Sequence, residues 1–314
     1  DPDTGQVIVV GTANQGAGQF ARGTVSGTSI SFSELFTFTS GNTDYPTATY
    51  DTGSDRAVFA YQDAGNSLIG TGIVVQVGST NLTAQAFVGV ADSAISASAA
   101  GSIIVQGGTV SEITDPFGTV TATYGSPTAA SAYQSESKVL AYDSANNRFV
   151  MAYKDGSNSD YGTAVVGELS GTSITWGTPV VFESATTGSN GLDIAFDSNV
   201  NRIVIAYQDQ GNSSYGTAIV GSVSGTGSGS TIAFGSPTVF ESADTRYIGM
   251  TFDSNDNRIV IVYSDAGNSY YATYVIGTVT TGPDAISFNT PALLNGSSAT
   301  YEIDASFDAT ENKV

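Results

Sequence analysis

Asp197-Ser198-Asn199-Val200-Asn201-Arg202-Ile203-Val204-Ile205-Ala206-Tyr207-Gln208-Asp209-Gln210-Gly211-Asn212-Ser213-Ser214-Tyr215-Gly216-Thr217-Ala218-Ile219-Val220-Gly221 reads as two β-strands and the turns that aim them. The run Ile203–Tyr207 is β-branched and apolar on both faces, the composition of a strand enclosed between two layers rather than lying half in water. A polar turn follows, Asp209-Gln210-Gly211-Asn212, where Gly and Asn are the residues expected to take any φ > 0 position. The chain then returns through Gly216–Gly221. Upstream, Asp197-Ser198-Asn199-Val200-Asn201 is a second turn, rich in side chains that bond their own backbone.

The same phrase recurs. Asp143-Ser144-Ala145-Asn146-Asn147-Arg148 and Asp253-Ser254-Asn255-Asp256-Asn257-Arg258 repeat its first turn, with weaker copies beginning at Asp1, Asp51 and Asp308. From Asp143 onward the spacings are 54, 56 and 55 residues; the first is 50, and the step from Asp51 to Asp143 is 92, about 40 more than a unit needs. Each unit also carries a third strand with period-2 pairs: Ile30 and Phe32, Ile174 and Trp176, Ile232 and Phe234, Ile286 and Phe288. The i, i+2 spacing sets each pair on one sheet face. Pro127, Pro179, Pro237 and Pro291 stand three residues after the aromatic position and end or bulge that strand. A short fourth strand, such as 247–252, is expected to close the unit. Four strands per unit of about 54 residues is the arithmetic of propeller blades, which bury two apolar faces only by packing on their neighbours. A solenoid uses shorter coils, and strung immunoglobulin-like sandwiches need about 100 residues each. The expected fold is therefore an all-β propeller of four-stranded blades, with five repeats visible and 5–7 blades in the complete protein. Residues 1–77 hold repeats 1–2, 78–118 form an inserted β-module, and 119–314 hold repeats 2–5 and the start of a further one. The insert contains two strand-like runs, 86–90 and 102–106.

Composition narrows function by exclusion. Lys and Arg number 9 against 29 Asp and Glu, for a net charge of −20. Phosphate contacts need clustered cations, so nucleic acid is not an expected partner, and neither is an anionic membrane surface. No apolar stretch approaches a membrane span, so membrane insertion is not expected. There is no Cys, which excludes disulfides and thiolate metal sites, and no His, the side chain most used for proton transfer near neutral pH. The opening at Asp1, without Met or signal peptide, reads as the start of an internal piece of something longer.

Two sets of repeat residues are candidates for binding. Asp63, Asn66, Asp155, Asn158, Asp209, Asn212, Asp265 and Asn268, with Tyr215 and Tyr270, fall at equivalent turns and are expected along one rim of the disc. There they offer stacking faces and hydrogen bonds suited to sugars; the competing explanation is that these turns were chosen for geometry alone. Asp253, Asn255 and Asn257 alternate like a short calcium loop. Against Ca²⁺, such an Asp commonly accepts backbone N–H groups in its own turn while the following Arg pairs with a neighbouring carboxylate, and no cofactor is required. Glycoside hydrolysis would need two acids in one cleft. Glu34, Glu168 and Glu302 are irregular within the repeat, but nothing in the sequence pairs them, and no catalytic residue is assigned.

The unit at 197–221 resembles repeats in structural and fibre proteins of marine tailed phages. The insert, through 81–96 and 102–108, is similar to another element of those proteins. The resemblance implies a non-enzymatic virion surface protein, such as a tail fibre, spike or capsid decoration. Its partners would be other virion or surface-assembly subunits and a host surface glycan or protein, and its location the virion surface or extracellular space. The alternative is a bacterial secreted or cell-surface structural or adhesive protein, of a kind that can polymerise. The turns Asp63-x-Gly65-x-Ser67, Asp209-x-Gly211-x-Ser213 and Asp265-x-Gly267-x-Ser269 also resemble the Asp-box of sialidases and related propellers, a hairpin device in that family. A sialidase site would also want clustered arginines. Here Arg56, Arg148, Arg202, Arg258 and Lys313 are taken up by repeat turns, which argues against hydrolase activity.

Overall fold

The computed structural model of the chain describes residues 6–13, 16–26, 29–32, 35–51, 56–77, 90–91, 103–104, 122–309 and 311–314. Contacts divide the chain into a body, Asp1–Gln76 with Tyr124–Val314, and a second unit, Val77–Thr123. In the second unit Val90–Ala91 pairs antiparallel with Ile103–Ile104. The remainder of the expected strands at 86–90 and 102–106, and the segment 92–102 between them, lies outside the described residues.

Every named element of the body is a strand or a 3₁₀ turn, and the strands form five wedges of antiparallel sheet. The fourth wedge is typical. Residues 187–197 pair with Arg202–Asp209, which pairs with Tyr215–Ser224; the last edge of that strand is shared by Thr231–Phe234 and residues 238–244. Among the described residues no helix is long and apolar enough to cross a membrane.

One expectation is corrected. Residues 247–252 do not close their own unit; they pair with Arg258–Asp265 and so open the next one. The reason is a long strand, Thr238–Asp253, whose front half completes the fourth wedge and whose rear half starts the fifth. Phe36–Asp51, Thr128–Asp143 and Val180–Asp197 do the same, each shifting register at a bulge. Non-glycine residues take φ near +50° at three of these bulges: Tyr45, Ser137 and Tyr247. A bulge of this kind turns the strand and re-aims its hydrogen bonds at a new sheet.

The core lies between wedges. Val204, Ala206 and Val220 of the fourth meet Phe240, Ile259, Ile261 and Tyr263 around the fifth. The third meets the fourth through Val150, Ala152 and Val166 against Ile203, Ile205, Tyr207 and Ile219. Fully burying each such side chain contributes about 1.5–3 kcal/mol, and no wedge can do this alone. Arginines at the strand starts cross the same junctions: Arg56 donates to Gly171 O at 2.7 Å, Arg148 to Gly225 O at 3.4 Å, and Arg202 to Asp284 Oδ1 at 2.6 Å.

Candidate functional site

The rim turns resolve into self-contained hairpins. Asp63 accepts the N–H of Gly65 at 3.0 Å, Asp155 that of Ser157 at 3.1 Å, and Asp209 that of Asn212 at 3.0 Å. Asp265 faces the amides of Gly267 and Asn268 in its own turn, and burial raises its pKa. Asn66, Asn158, Asn212 and Asn268 are exposed, while Tyr215 and Tyr270 are half-buried. The left-handed backbone falls not on Gly and Asn, as expected, but on the two residues after Asn: Ser67 and Leu68, Ser159 and Asp160, Ser213 and Ser214, Ser269 and Tyr270. Gly211 is there for proximity instead, since a Cβ on it would stand 2.4 Å from that of Ala185.

The Asp253 turn is built in a similar way. Asp253 Oδ1 accepts from Asn255 N at 2.9 Å and Asp256 N at 3.0 Å, and Asn257 takes φ 54° before the strand begins. Asp143 and Asp197 repeat this arrangement. The carboxylate is spent on its turn, and among the described residues no group of three acidic, His or Cys side chains is placed to hold a metal.

Of the predicted rim residues, Asp155 and Asn158 line a cavity. It holds about 860 Å³ between the outer strand of the second wedge and the third wedge, and its walls include Ala130, Ser131, Tyr153, Trp176 and Val181. Its origin is legible by register. Val181 pairs with Thr163 and Val239 with Thr217, and each is followed by a Phe–Glu pair, Phe182–Glu183 and Phe240–Glu241. At those two junctions the Phe ring packs on the tyrosine of the next wedge, with centroids 5.2 Å apart for Phe182–Tyr207 and 5.3 Å for Phe240–Tyr263. The tyrosine hydroxyl donates to the glutamate at 2.9 Å in both cases. In the second wedge Ala129 pairs with Thr71, so the equivalent residues are Ala130 and Ser131. The phenylalanine ring and the carboxylate of the next two junctions are absent here, and the cavity lies beside this junction.

Its floor is Tyr153. That hydroxyl is buried and has Ser131 as its hydrogen-bonding neighbour. Burial, and then the charge of Asp155, raise its pKa. Trp176, the only Trp in the chain, stands where three other units carry Phe32, Phe234 and Phe288. Its indole spans the junction, Nε1 donating to Thr128 O at 3.3 Å. The ring passes so close to two backbones that a Cβ on Gly72 or Gly167 would lie 2.6 Å from it. Asp155 is the only carboxylate among the lining residues, and no Lys or Arg is among them. Tyr153 and Trp176 were not among the residues singled out from sequence. The available signal was the departure of Ala130-Ser131 and Trp176 from the repeat.

No protein-family model matches this chain, and no curated protein does. Among solved structures it is similar to a mutant of AofleA from Arthrobotrys oligospora in which three arginines are replaced by alanine. That match has a TM-score of 0.54 at 10% identity, over 96% of this chain and 70% of that one. AofleA itself gives 0.49 at 10% identity, over 94% and 73%. A bifunctional GH43-CE from Bacteroides eggerthii gives 0.39 at 10% identity, over 95% and 34%. The first likeness is one of fold, and with the strand pairing it defines an all-β, propeller-like protein.

Proposed function

We propose that this chain is a non-enzymatic attachment protein of a virion surface, a rigid platform that holds a host glycan in the Tyr153–Trp176 cavity. The observation that carries the binding role is the departure from the repeat. One junction lacks the phenylalanine that packs on the tyrosine at its neighbours, Phe38 on Tyr61 and Phe182 on Tyr207, and the cavity beside it is lined by Trp176 and Tyr153 with Asp155 and Asn158. Aromatic faces with a few fixed polar groups suit a pyranose, which has an apolar face and polar edges. A single carboxylate is one short of the pair that glycoside hydrolysis uses. The marine-phage resemblance of the repeat supplies the virion setting.

The platform itself is read as a closed ring of 5–7 wedges. Ile30 is 50% exposed where its counterpart Ile232 is 2%, and Leu294 is 62% exposed where Phe240 is 5%. The first and fifth wedges therefore each present a face that elsewhere receives a neighbour. A glycan array tests the function. Binding to immobilised glycans, lost in Trp176→Ala and unaccompanied by release of reducing ends, is expected. Retained binding in Trp176→Ala would remove the site, and liberated sugar would make the protein an enzyme.

A further inference from the structure

Each wedge docks by two unlike faces. Toward the third wedge the fourth turns Ile203, Ile205, Tyr207, Ile219 and Ile232, which share a core with Val150, Ala152, Ala164 and Val166. Toward the fifth it turns Val204, Ala206, Ala218 and Val220, which share a core with Phe240, Ile259, Ile261 and Tyr263. By register, the former face corresponds in the first wedge to Val9, Gly11, Ala21 and Ile30. The latter corresponds in the fifth to Val260, Tyr274 and Ile276, with Leu294 at the position of Phe240. Both faces stand open. Val9 is 50% exposed where Ile205 is 0%, and with Gly11, Phe32 and Leu35 it bounds a groove of about 480 Å³. Val260, Tyr274 and Ile276 are half-buried where Val204, Ala218 and Val220 are fully buried. We infer that these faces are partners between copies: the fifth wedge of one copy docks on the first wedge of a second, head to tail, as wedges dock within the chain. This goes beyond the attachment role above and does not depend on the saccharide site.

The polar contacts of the filled junctions say what belongs on the open ones. Arginine at the start of a wedge donates to a hairpin link of the next: Arg56 to Gly171 O, Arg148 to Gly225 O, and Arg202 to Asp284. Arg258 holds that position in the fifth wedge. It is exposed, and among the described residues it donates to Asn257 O of its own turn at 3.1 Å and reaches no other wedge. The equivalent link of the first wedge joins Ser26 to Ser29, and docking in the repeat's own manner brings that link of a second copy to Arg258. Side-chain volume matches as well. Gly11 takes the position at which Tyr61, Tyr153, Tyr207 and Tyr263 are buried, and a Cβ added to it would meet nothing within 4 Å. The fifth wedge carries a ring to spare. Its Tyr274 stands where the third and fourth have Ala164 and Ala218, which share cores with Tyr207 and Tyr263 respectively. One face lacks a ring at this level, and the other has one to insert. Because both faces are open in the same chain, that chain covers neither. A heterologous contact of this kind builds a ring of copies or an open row.

The test is sedimentation of the full chain over a range of concentrations, at physiological ionic strength so that the repulsion between copies of net charge −20 is screened. The unmodified chain is expected to gain mass beyond a single copy. Ile30→Asp spoils the first wedge's face and Leu294→Asp the fifth's. Both positions are exposed, so each variant should keep its thermal midpoint and yet sediment as a single chain. Mixed in equal amounts, the two should form a pair and stop there, because each keeps the face that the other has lost. Arg258→Ala alone should weaken self-association about tenfold, the loss of a hydrogen bond from a charged donor. An unmodified chain that stays single at every concentration would overturn the inference and leave closure of each chain on itself as the cover. Association that survives both Asp variants, or a mixture that fails to pair, would also overturn it by placing the contact elsewhere. The saccharide reading stands or falls separately, on the glycan array.

Discussion

The half-buried carboxyl group of Asp193, packed between two sheets, resists ionisation because little water is left to solvate the charge. It stands just past the bulge of the fourth wedge, accepts the N–H of Ile194 at 2.8 Å, and reaches across to the N–H of Met250 in the fifth at 2.5 Å. Burial, with a smaller push from Asp304, raises its pKa to about 7, against the pull of the two amides. In the unfolded chain the same group titrates near 4. Between those values the folded protein holds a proton that the unfolded chain releases, so stability falls as pH rises from about 4 to 7. The slope from this one residue is at most ~1.4 kcal/mol per pH unit. Asp193→Asn should flatten that part of a urea-midpoint profile taken at several pH values; parallel profiles for the two proteins would count against the burial. None of this was visible in sequence. An Asp in a short apolar run, Leu192-Asp193-Ile194-Ala195-Phe196, signals nothing until a neighbouring sheet packs on it.

At the scale of elements, local chemistry and long-range pairing separate cleanly. The strand Arg202–Asp209 and both its turns were legible because β-branched composition and Asp-led turns act over a few residues. Its centre, Ile205, is fully buried against the third wedge. Ile205→Asp places an unpaired carboxylate there and should cost several kcal/mol, lowering the thermal midpoint beyond recovery of a native-like signal. An unchanged midpoint would contradict the strand's placement. Residues 247–252 were misplaced because nothing within them says which sheet they join; that is decided by a register shift at Arg246–Gly249 and by partners in the following strand, Arg258–Asp265. The junction pair offers a converse experiment. Phe182→Ala with Glu183→Ser copies the Ala130–Ser131 solution into the next junction. The loss of a buried ring should cost about 3–5 kcal/mol. Two sugar equivalents per chain instead of one, read by titration, would show that the void is what binds.

The chain as a whole departs from its own repeat at one hairpin. Elsewhere the turn into the short strand spans few residues, as between Tyr161–Ser170 and Ser173–Trp176. In the second wedge the same turn runs from Ile69–Val77 to Ala122–Tyr124. The closing hydrogen bond is nevertheless conserved in form: Gly125 N meets Val74 O at 3.0 Å, as Gly177 N meets Val166 O at 2.8 Å and Gly235 N meets Val220 O at 2.9 Å. The body's backbone therefore closes this hairpin as it closes the others, and loop length itself adds little to the thermodynamics of a sheet, since each doubling costs only about 0.6 kcal/mol. Replacing Gly78–Gly118 with a two-residue turn should leave the body's cooperative unfolding intact. Differential scanning calorimetry of the deletion beside the full chain distinguishes the cases: a retained main transition fits a body that folds on its own wedges, and its disappearance would mean that the insert completes the core.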